Sequence, residues 1–548
     1  MLTTVKSSGE GPRRPDNGLV RLLGPKVLKG ALLFLILSFS LLRFVHLNAD
    51  FPPGITWSSD LYTDEGQNAA SAIRHVLTGQ WYLVGDVNTA VYAPVGHVLH
   101  RMSFALFGLS LSSARITIIV SFLLLVVLAA LLIRRSFGDY AALLTALLLT
   151  SNYVGFVYSR LATMDLVATF FVVASLYAAG GLKGKSGLPR LLAASSLLAL
   201  GMLTKLTAAF AIPLLALVVW RSGSSLKERI LFLIASGLVI VVLYGGYRVA
   251  MSVLFPVEYT GFNQQTLGNA YRTFQDWGRH VPRKVFTNPE YLGNGFVDLT
   301  VLFAASALAV SKRFRGDPLT YLLVGYTAVY VGMLSLHRYG PPRYYLPLLV
   351  PFAGLCATAC IALVDRLREM RWSAVAVLPI VLVAATSLGE GRQIVAYLSK
   401  PSYSFYQMTH AVGKIIQERE GTAHGVLLLG DIASSVSLEI GTNAVNTVPG
   451  MDMVGKIREY HPKYMIVHTS NIVEIAVSEG GEVIELGAWD VFGNYYANGE
   501  QVRLYAVRWP GENGERPSLY GCAVSLWMGR SMGLEESLAT CSTFAGSC

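Results

Sequence analysis

The stretch Tyr92–Gly108, YAPVGHVLHRMSFALFG, decides how this chain is threaded. It is apolar enough to read as a membrane span, yet Pro94 stands near its start and His97, His100 and Arg101 near its middle. Ionisable groups at mid-bilayer are costly. Were the segment to cross, every basic loop after it would change sides. It therefore reads as an amphipathic helix lying in the outer interface.

Outward from that point the chain is mostly membrane helix. Of its 548 residues, 53% are hydrophobic and 14% charged, against roughly 25% charged in soluble domains. Apolar runs lie near 27–47, 113–133, 140–157, 164–181, 188–204, 206–220, 230–253, 294–311, 318–336, 344–364 and 372–389. Each is near the ~20 residues that cross a hydrocarbon core, giving about eleven spans. The weak alternation of a β-barrel is not seen. Basic clusters fall in every second loop: Arg134-Arg135, Lys183 with Lys185, Arg221 with Lys227 and Arg229, Lys312-Arg313 with Arg315, and Arg366 with Arg368 and Arg371. The positive-inside rule puts these loops, and the basic segment 1–26, in the cytoplasm. The formal charge of +10 is thereby accounted for, and no nucleic-acid partner is expected. The run after residue 26 is long and lacks a small-x-small cleavage site, so it reads as an uncleaved first span.

The expected layout is a transmembrane catalytic domain over 27–390, with an outer loop of interfacial helices at 48–112. Residues 400–510 are polar and form an extracytoplasmic α/β domain, in which Val426–Asp431 and Tyr464–His468 look like buried strands. The Gly430-Asp431 turn lacks a phosphate-binding glycine pattern and reads as structural. Residues 511–548 read as a loosely ordered tail. Cys356 and Cys360 fit core packing. Among Cys522, Cys541 and Cys548 one disulfide would leave one thiol over. The fold class is thus mainly α, a polytopic transmembrane bundle with a small C-terminal α/β domain.

With this threading Asp64, Glu65, Arg160, Asp165, Lys205, His337, Arg338 and Arg343 all fall on the outer side. The embedded charges Arg115, Asp165, Arg248 and Asp298 lie near the outer ends of their spans. A transporter would keep its polar site near the midplane. Ala69, Ile73, Val76 and Leu77 put a helix behind Asp64 and Glu65, where helix capping is the plain alternative to chemistry. Arg160 and Asp165 at one rim make a candidate polar pocket. Lysine or arginine at a helix end often only snorkels. On the outer side, however, Lys205, Arg338 and Arg343 run against the orientation bias, and binding a lipid phosphate is the simplest reason. Cations that neutralise a departing lipid phosphate, beside a carboxylate that takes a hydroxyl proton, can perform group transfer.

Four stretches carry a family resemblance: Tyr62-Thr63-Asp64-Glu65, Tyr158 through Asp165 (YSRLATMD), Gly201-Met202-Leu203-Thr204-Lys205, and Arg343-Tyr344-Tyr345-Leu346-Pro347. In order and spacing they resemble the motifs of the GT-C superfamily of integral-membrane glycosyltransferases, in the branch of protein O-mannosyltransferases and the lipid A aminoarabinose transferase. The resemblance implies Asp64 as catalytic base and Arg160, Lys205 and Arg343 near a donor phosphate; Asp165, in the second motif, is a further catalytic candidate. It departs from the family at Asn88–Pro94, which has the proline but no lysine, so His97 or Arg101 is a candidate replacement. Tyr92 and Tyr345 are candidate substrate contacts, and Glu65 and His97 candidate ligands of a divalent metal. The resulting expectation is an inverting transferase moving a sugar from a polyprenyl phosphate to a lipid, glycan or protein acceptor at the outer membrane face. A lipid-sugar flippase and a non-catalytic envelope assembly protein are the rival readings.

Overall fold

The computed structural model describes residues 25–510 apart from 53–54, 56–59, 84–85, 87, 181–186, 223–224, 257–258, 260–291, 294, 336–341, 373, 448–451, 469–470 and 492–500. The expectations for Lys183, Lys185, His337, Arg338 and the tail cysteines lie outside the described residues.

Among the described residues, helix fills most of every expected apolar run. The order is α1 (Pro25–Leu41), α2 (Asp60–Thr78), α3 (Pro94–Phe107), α4 (Leu111–Ser151), α5 (Tyr153–Tyr158), α6 (Asp165–Ala179), α7 (Gly187–Thr204) and α8 (Ile212–Ser222). Then follow α9 (Leu226–Ile240), α10 (Gly246–Leu254), α11 (Phe296–Val310), α12 (Lys312–Gly316), α13 (Pro318–Ser335), α14 (Leu349–Glu369) and α15 (Leu378–Ser399). Among the described residues, seven helices are long and apolar enough to cross a membrane, and three shorter apolar ones accompany them. The seven include all of α4, which holds two of the expected runs. They meet at Gly138, where φ is 83°; a side chain there would be strained, so glycine allows the chain to turn between them.

The bundle is ordered by burial. The stretch Pro342–Glu369 has 94% of its most apolar window buried, whereas Lys26–Phe44 has 6%. The first is the centre of the bundle, and the second presents apolar side chains outward, as a lipid-facing helix does. Basic residues from the start of α1, the Arg134-Arg135 pair and α12 meet at one rim. Lys29 and Arg134 both meet Asp139 at 2.7 Å, Arg313 donates to Asp365 and to the Ser136 carbonyl at 3.2 Å, and Arg135 donates to the Tyr177 carbonyl at 2.7 Å.

The opposite rim carries α2 and α3. Helix α3 is about 21 Å long at roughly 1.5 Å per residue, short of a ~30 Å hydrocarbon core. Both of its ends stay at this rim. Gly96 lies against Met164, and Ser103 donates to the Ser113 carbonyl at 2.6 Å near the start of α4. Val98, Met102 and Leu106 are exposed on one face, while His97, His100 and Phe104 are buried on the other. That is the form of an interfacial helix.

A small α/β unit covers this rim. It consists of α16 (Ser404–Glu420), β1 (Leu427–Gly430), α17 (Ala433–Ile440), β2 (Asn443–Asn446), α18 (Met453–Tyr460), β3 (Tyr464–Val467), α19 (Asn471–Ser478), β4 (Glu482–Trp489) and β5 (Val502–Arg508). Its sheet runs β2-β1-β3-β5-β4, with the first three strands parallel and β5 antiparallel to both neighbours. Strands β1 and β3 fall within the two segments expected to be buried strands. A Cβ at Gly430 would stand 1.7 Å from the Ile466 carbonyl oxygen, so this glycine permits the β1–β3 approach, in keeping with its structural reading.

The unit is tied down by buried polar contacts. Asp50 accepts from the Ser404 amide (2.8 Å) and the Phe405 amide (3.1 Å) at the start of α16. Glu439 accepts from the Leu111 amide at 2.7 Å. Asp86, fully buried, accepts from Arg74 (2.6 Å), Lys456 (3.0 Å) and the Asn446 amide (3.2 Å). Asp86 thus joins the loop after α2 to α18 and β2. Removing one member of a buried ion pair typically costs about 3–5 kcal/mol. Asp86→Ala, which strands two buried cations, is expected to lower the unfolding midpoint of the detergent-solubilised protein and to speed proteolysis of the C-terminal unit. An unchanged midpoint and cleavage pattern would show that Asp86 does not hold this junction.

Candidate active site

Helix α2 begins at Asp60, so Asp64 and Glu65 sit in its second turn, not its first as expected from the sequence. Capping does not explain them. Adjacent helical residues point about 100° apart, and these two carboxylates have different partners.

Glu65 is turned inward and is 4% exposed. It accepts from Arg115 Nε (2.9 Å) and Nη2 (2.7 Å), and from the Ala162 amide (2.8 Å). Arg115 Nη1 in turn donates to the carbonyls of Leu47 (2.6 Å) and Ala49 (2.9 Å). One ion pair therefore joins α2, the start of α4, the chain leaving α1, and the loop before α6. Glu65 is committed to this junction.

Asp64 forms an ion pair with Arg343. Arg343 and Tyr344 lie on the 3-10 turns Pro342–Leu348 that lead into α14. The Arg343 guanidinium carbon is 5.4 Å from the Tyr344 ring centre, and Lys205 Nζ stands over the same ring at 4.5 Å. Lys205 has extended backbone where α7 ends. Its Nζ donates to Asp165 Oδ1 at 2.7 Å. Asp165 is the first residue of α6 and is 2% exposed, and its Oδ2 has no hydrogen-bond partner. An unbroken run of contacts thus links Asp64, Arg343, Tyr344, Lys205 and Asp165. Two anions balance two cations around one aromatic ring. An arriving phosphate would compete with both aspartates for the cations.

Other candidates lie elsewhere. Arg160 and Asp165 were expected to share a pocket, but Asp165 pairs with Lys205. Arg160 Nη2 donates to the carbonyls of Val45 (2.7 Å) and His46 (2.6 Å), while its Nε and Nη1 are buried without a partner. The guanidinium is 5.2 Å from the Tyr397 ring and 5.3 Å from Phe156. The loop geometry fixed by Glu65 and Arg115 turns it toward α1 and α15. Arg101 Nε donates to His75 Nδ1 at 2.9 Å. Tyr345 is buried in the bundle core. Burial and nearby Asp86 push the Tyr92 hydroxyl well above its ordinary pKa. Among the described residues no group of three His, Cys, Asp or Glu side chains could hold a metal ion. Arg115 and Tyr344 are the residues that sequence reasoning left out of the site. The signal for Arg115 was a charge at the outer end of a span. Tyr344 adjoins a candidate arginine.

His97 and His100 are buried, and burial lowers each imidazole to a pKa of about 3. Both nitrogens of His100 lack a partner. The unfolded chain takes up these protons near pH 6.5, the ordinary histidine value, and the folded chain refuses them until about 3. Stability from these groups is therefore present above pH 6.5 and lost as the pH falls through that window. His100→Phe is expected to flatten the acid-side fall of the melting midpoint; an unaltered slope would remove His100 as its source.

Residues 91–245 match the family model for dolichyl-phosphate-mannose-protein mannosyltransferase. No curated protein sequence matches the chain. Among solved structures, ArnT from Cupriavidus metallidurans in the apo state is 16% identical, with a TM-score of 0.55, covering 87% of this chain and 98% of that one. The same protein bound to undecaprenyl phosphate is 14% identical, with a TM-score of 0.51, covering 88% and 99%. The archaeal oligosaccharyltransferase AglB from Archaeoglobus fulgidus, in complex with an inhibitory peptide and a dolichol-phosphate, is 13% identical, with a TM-score of 0.51, covering 82% and 71%. Over most of its length the chain shares the GT-C fold of these membrane glycosyltransferases.

Proposed function

We propose that this protein is an inverting glycosyltransferase that uses a polyprenyl-phosphate sugar as donor. The observation that carries this reading is the run Asp64–Arg343–Tyr344–Lys205–Asp165 at the rim beneath the C-terminal unit. The binding of undecaprenyl phosphate by ArnT and of a dolichol-phosphate by AglB supports a lipid phosphate as the anionic ligand. We place the chain in the cytoplasmic membrane of a prokaryote, with the N-terminus inside and this rim facing out.

In the proposed reaction the donor phosphate displaces the aspartates from Arg343 and Lys205. Both cations then face the oxygen on which charge grows as the sugar's anomeric C–O bond breaks. Asp64, released from Arg343, accepts the proton of the acceptor hydroxyl while that oxygen bonds to the opposite face of the anomeric carbon. The products are a glycoside of inverted configuration and the free polyprenyl phosphate. Asp165 holds Lys205 in place between turnovers. A lipid, a glycan or a protein hydroxyl satisfies this chemistry equally.

General-base catalysis is typically worth about 10²–10⁴-fold. Asp64→Asn is expected to lose transfer by that order while keeping its insertion and melting midpoint, as read by mass spectrometry of surface glycolipids and glycoproteins. Full transfer by this variant would remove Asp64 as the base. Lys205→Met is expected to weaken undecaprenyl-phosphate binding by about tenfold, the cost of one charge-assisted contact. Unchanged binding would place the phosphate away from Lys205. Sugar-lipid flux across vesicles without any acceptor, undiminished in Asp64→Asn, would favour a flippase instead.

A further inference from the structure

The parallel strands β2, β1 and β3 end together in the C-terminal unit. Their carboxyl ends lead into Asn446 and Thr447, Gly430 and Asp431, and His468. Open α/β sheets take ligands in the crevice beyond such ends. Gly430 pairs in register with Asn446, and the Thr447 amide donates to the Gly430 carbonyl at 3.2 Å. The residues that follow β1 and β2 are therefore neighbours.

Their polar atoms are unmet. Asn446 is 1% exposed, and neither its Oδ1 nor its Nδ2 has a hydrogen-bond partner. Thr447 Oγ1 and Asp431 Oδ1 are also buried without one. A buried polar atom left unpaired is costly, and here four such atoms collect at one strand edge. Asp431 Oδ2 meets the His468 ring, and these two side chains keep 10% and 14% of their surface exposed. These two side chains reach the surface, whereas Asn446 and Thr447 are buried.

The edge faces the active helix. Asp431 lies just before α17, whose Ser435 hydroxyl accepts from the Gly66 amide at 3.1 Å. A Cβ at Gly66 would stand 2.1 Å from the Ser435 nitrogen, so α17 rests directly on α2 two residues from Asp64. The chemistry of the edge suits a neutral ligand. Lys456, which donates to the Asn446 carbonyl at 2.7 Å, is already committed to Asp86. What remains is an amide, a hydroxyl and a carboxylate beside an imidazole, groups that pair with vicinal hydroxyls by donating and accepting at once.

We infer that this strand edge seats a carbohydrate chain on the acceptor, held by Asp431, Asn446, Thr447 and His468, with its reacting hydroxyl carried toward Asp64. The inference rests on the transferase reading, and donor binding measured separately distinguishes the two. The test uses the purified full chain in nanodiscs, titrated with mannotetraose, arabinotetraose and chitotetraose, and independently with undecaprenyl phosphate. At least one glycan is expected to bind saturably. Asn446→Ala and the near-isosteric Thr447→Val should each weaken it about tenfold, with undecaprenyl-phosphate binding and the melting midpoint unchanged. Undecaprenyl-phosphate binding with no glycan bound, or glycan binding that survives both substitutions, overturns the inference. Glycan binding that the substitutions weaken, in a chain with no affinity for undecaprenyl phosphate, upholds the edge as a glycan site and overturns the donor reading.

Discussion

The Glu65–Arg115 ion pair is the constraint on which the rest of this rim depends. Two charges taken out of water are tolerated only when their geometry and remaining hydrogen bonds are satisfied. Here Arg115 spends its donors on both carboxylate oxygens and on two carbonyls, and Glu65 takes a further amide. The polar atoms of four chain segments are thereby met at one point. Because Glu65 is fixed inward, its neighbour Asp64, about 100° around the helix, is turned toward Arg343. Because the Ala162 amide is held, the loop leading to Asp165 is held as well. Asp64 and Asp165 come from helices distant in sequence, yet this one pair sets the position of both.

The C-terminal unit is a structural part of this rim. The buried Asp86 junction, the Asp50 cap on α16 and the Ser435–Gly66 contact bring it onto the same helix that carries Asp64. At Gly66 the absence of a side chain permits two backbones to meet. The unit and the membrane part therefore form one continuous rim around Asp64. Loops and appended units commonly carry specificity, while the scaffold holds the reacting groups.

Much of the architecture was legible because a bilayer allows so few solutions. Apolar length gave the helices, and charge in alternate loops gave the expectation that basic residues share a rim. The imidazoles and arginine in Tyr92–Gly108 excluded a crossing, and in the structure both ends of α3 stay at one rim. The site was legible in part. Asp64, Asp165, Lys205 and Arg343 stood out as charges near span ends on one side, and they meet. Glu65 and Arg160 stood out equally and do other things. Glu65 is consumed by Arg115, and Arg160 turns to the carbonyls of Val45 and His46. Nothing in a linear sequence distinguishes a carboxylate facing a cleft from its neighbour facing a buried arginine.

By itself, then, the sequence determined the helical membrane class, the grouping of charges at one rim, and the α/β character of residues 400–510. Hydrophobic length and periodicity are local properties, and the cost of burying charge in lipid leaves little choice. Only the tertiary structure decided which ions pair, that Tyr344 lies between Lys205 and Arg343, and that the C-terminal sheet abuts the helix of Asp64. Such pairings join residues tens to hundreds of positions apart, and their geometry depends on packing that no local pattern encodes.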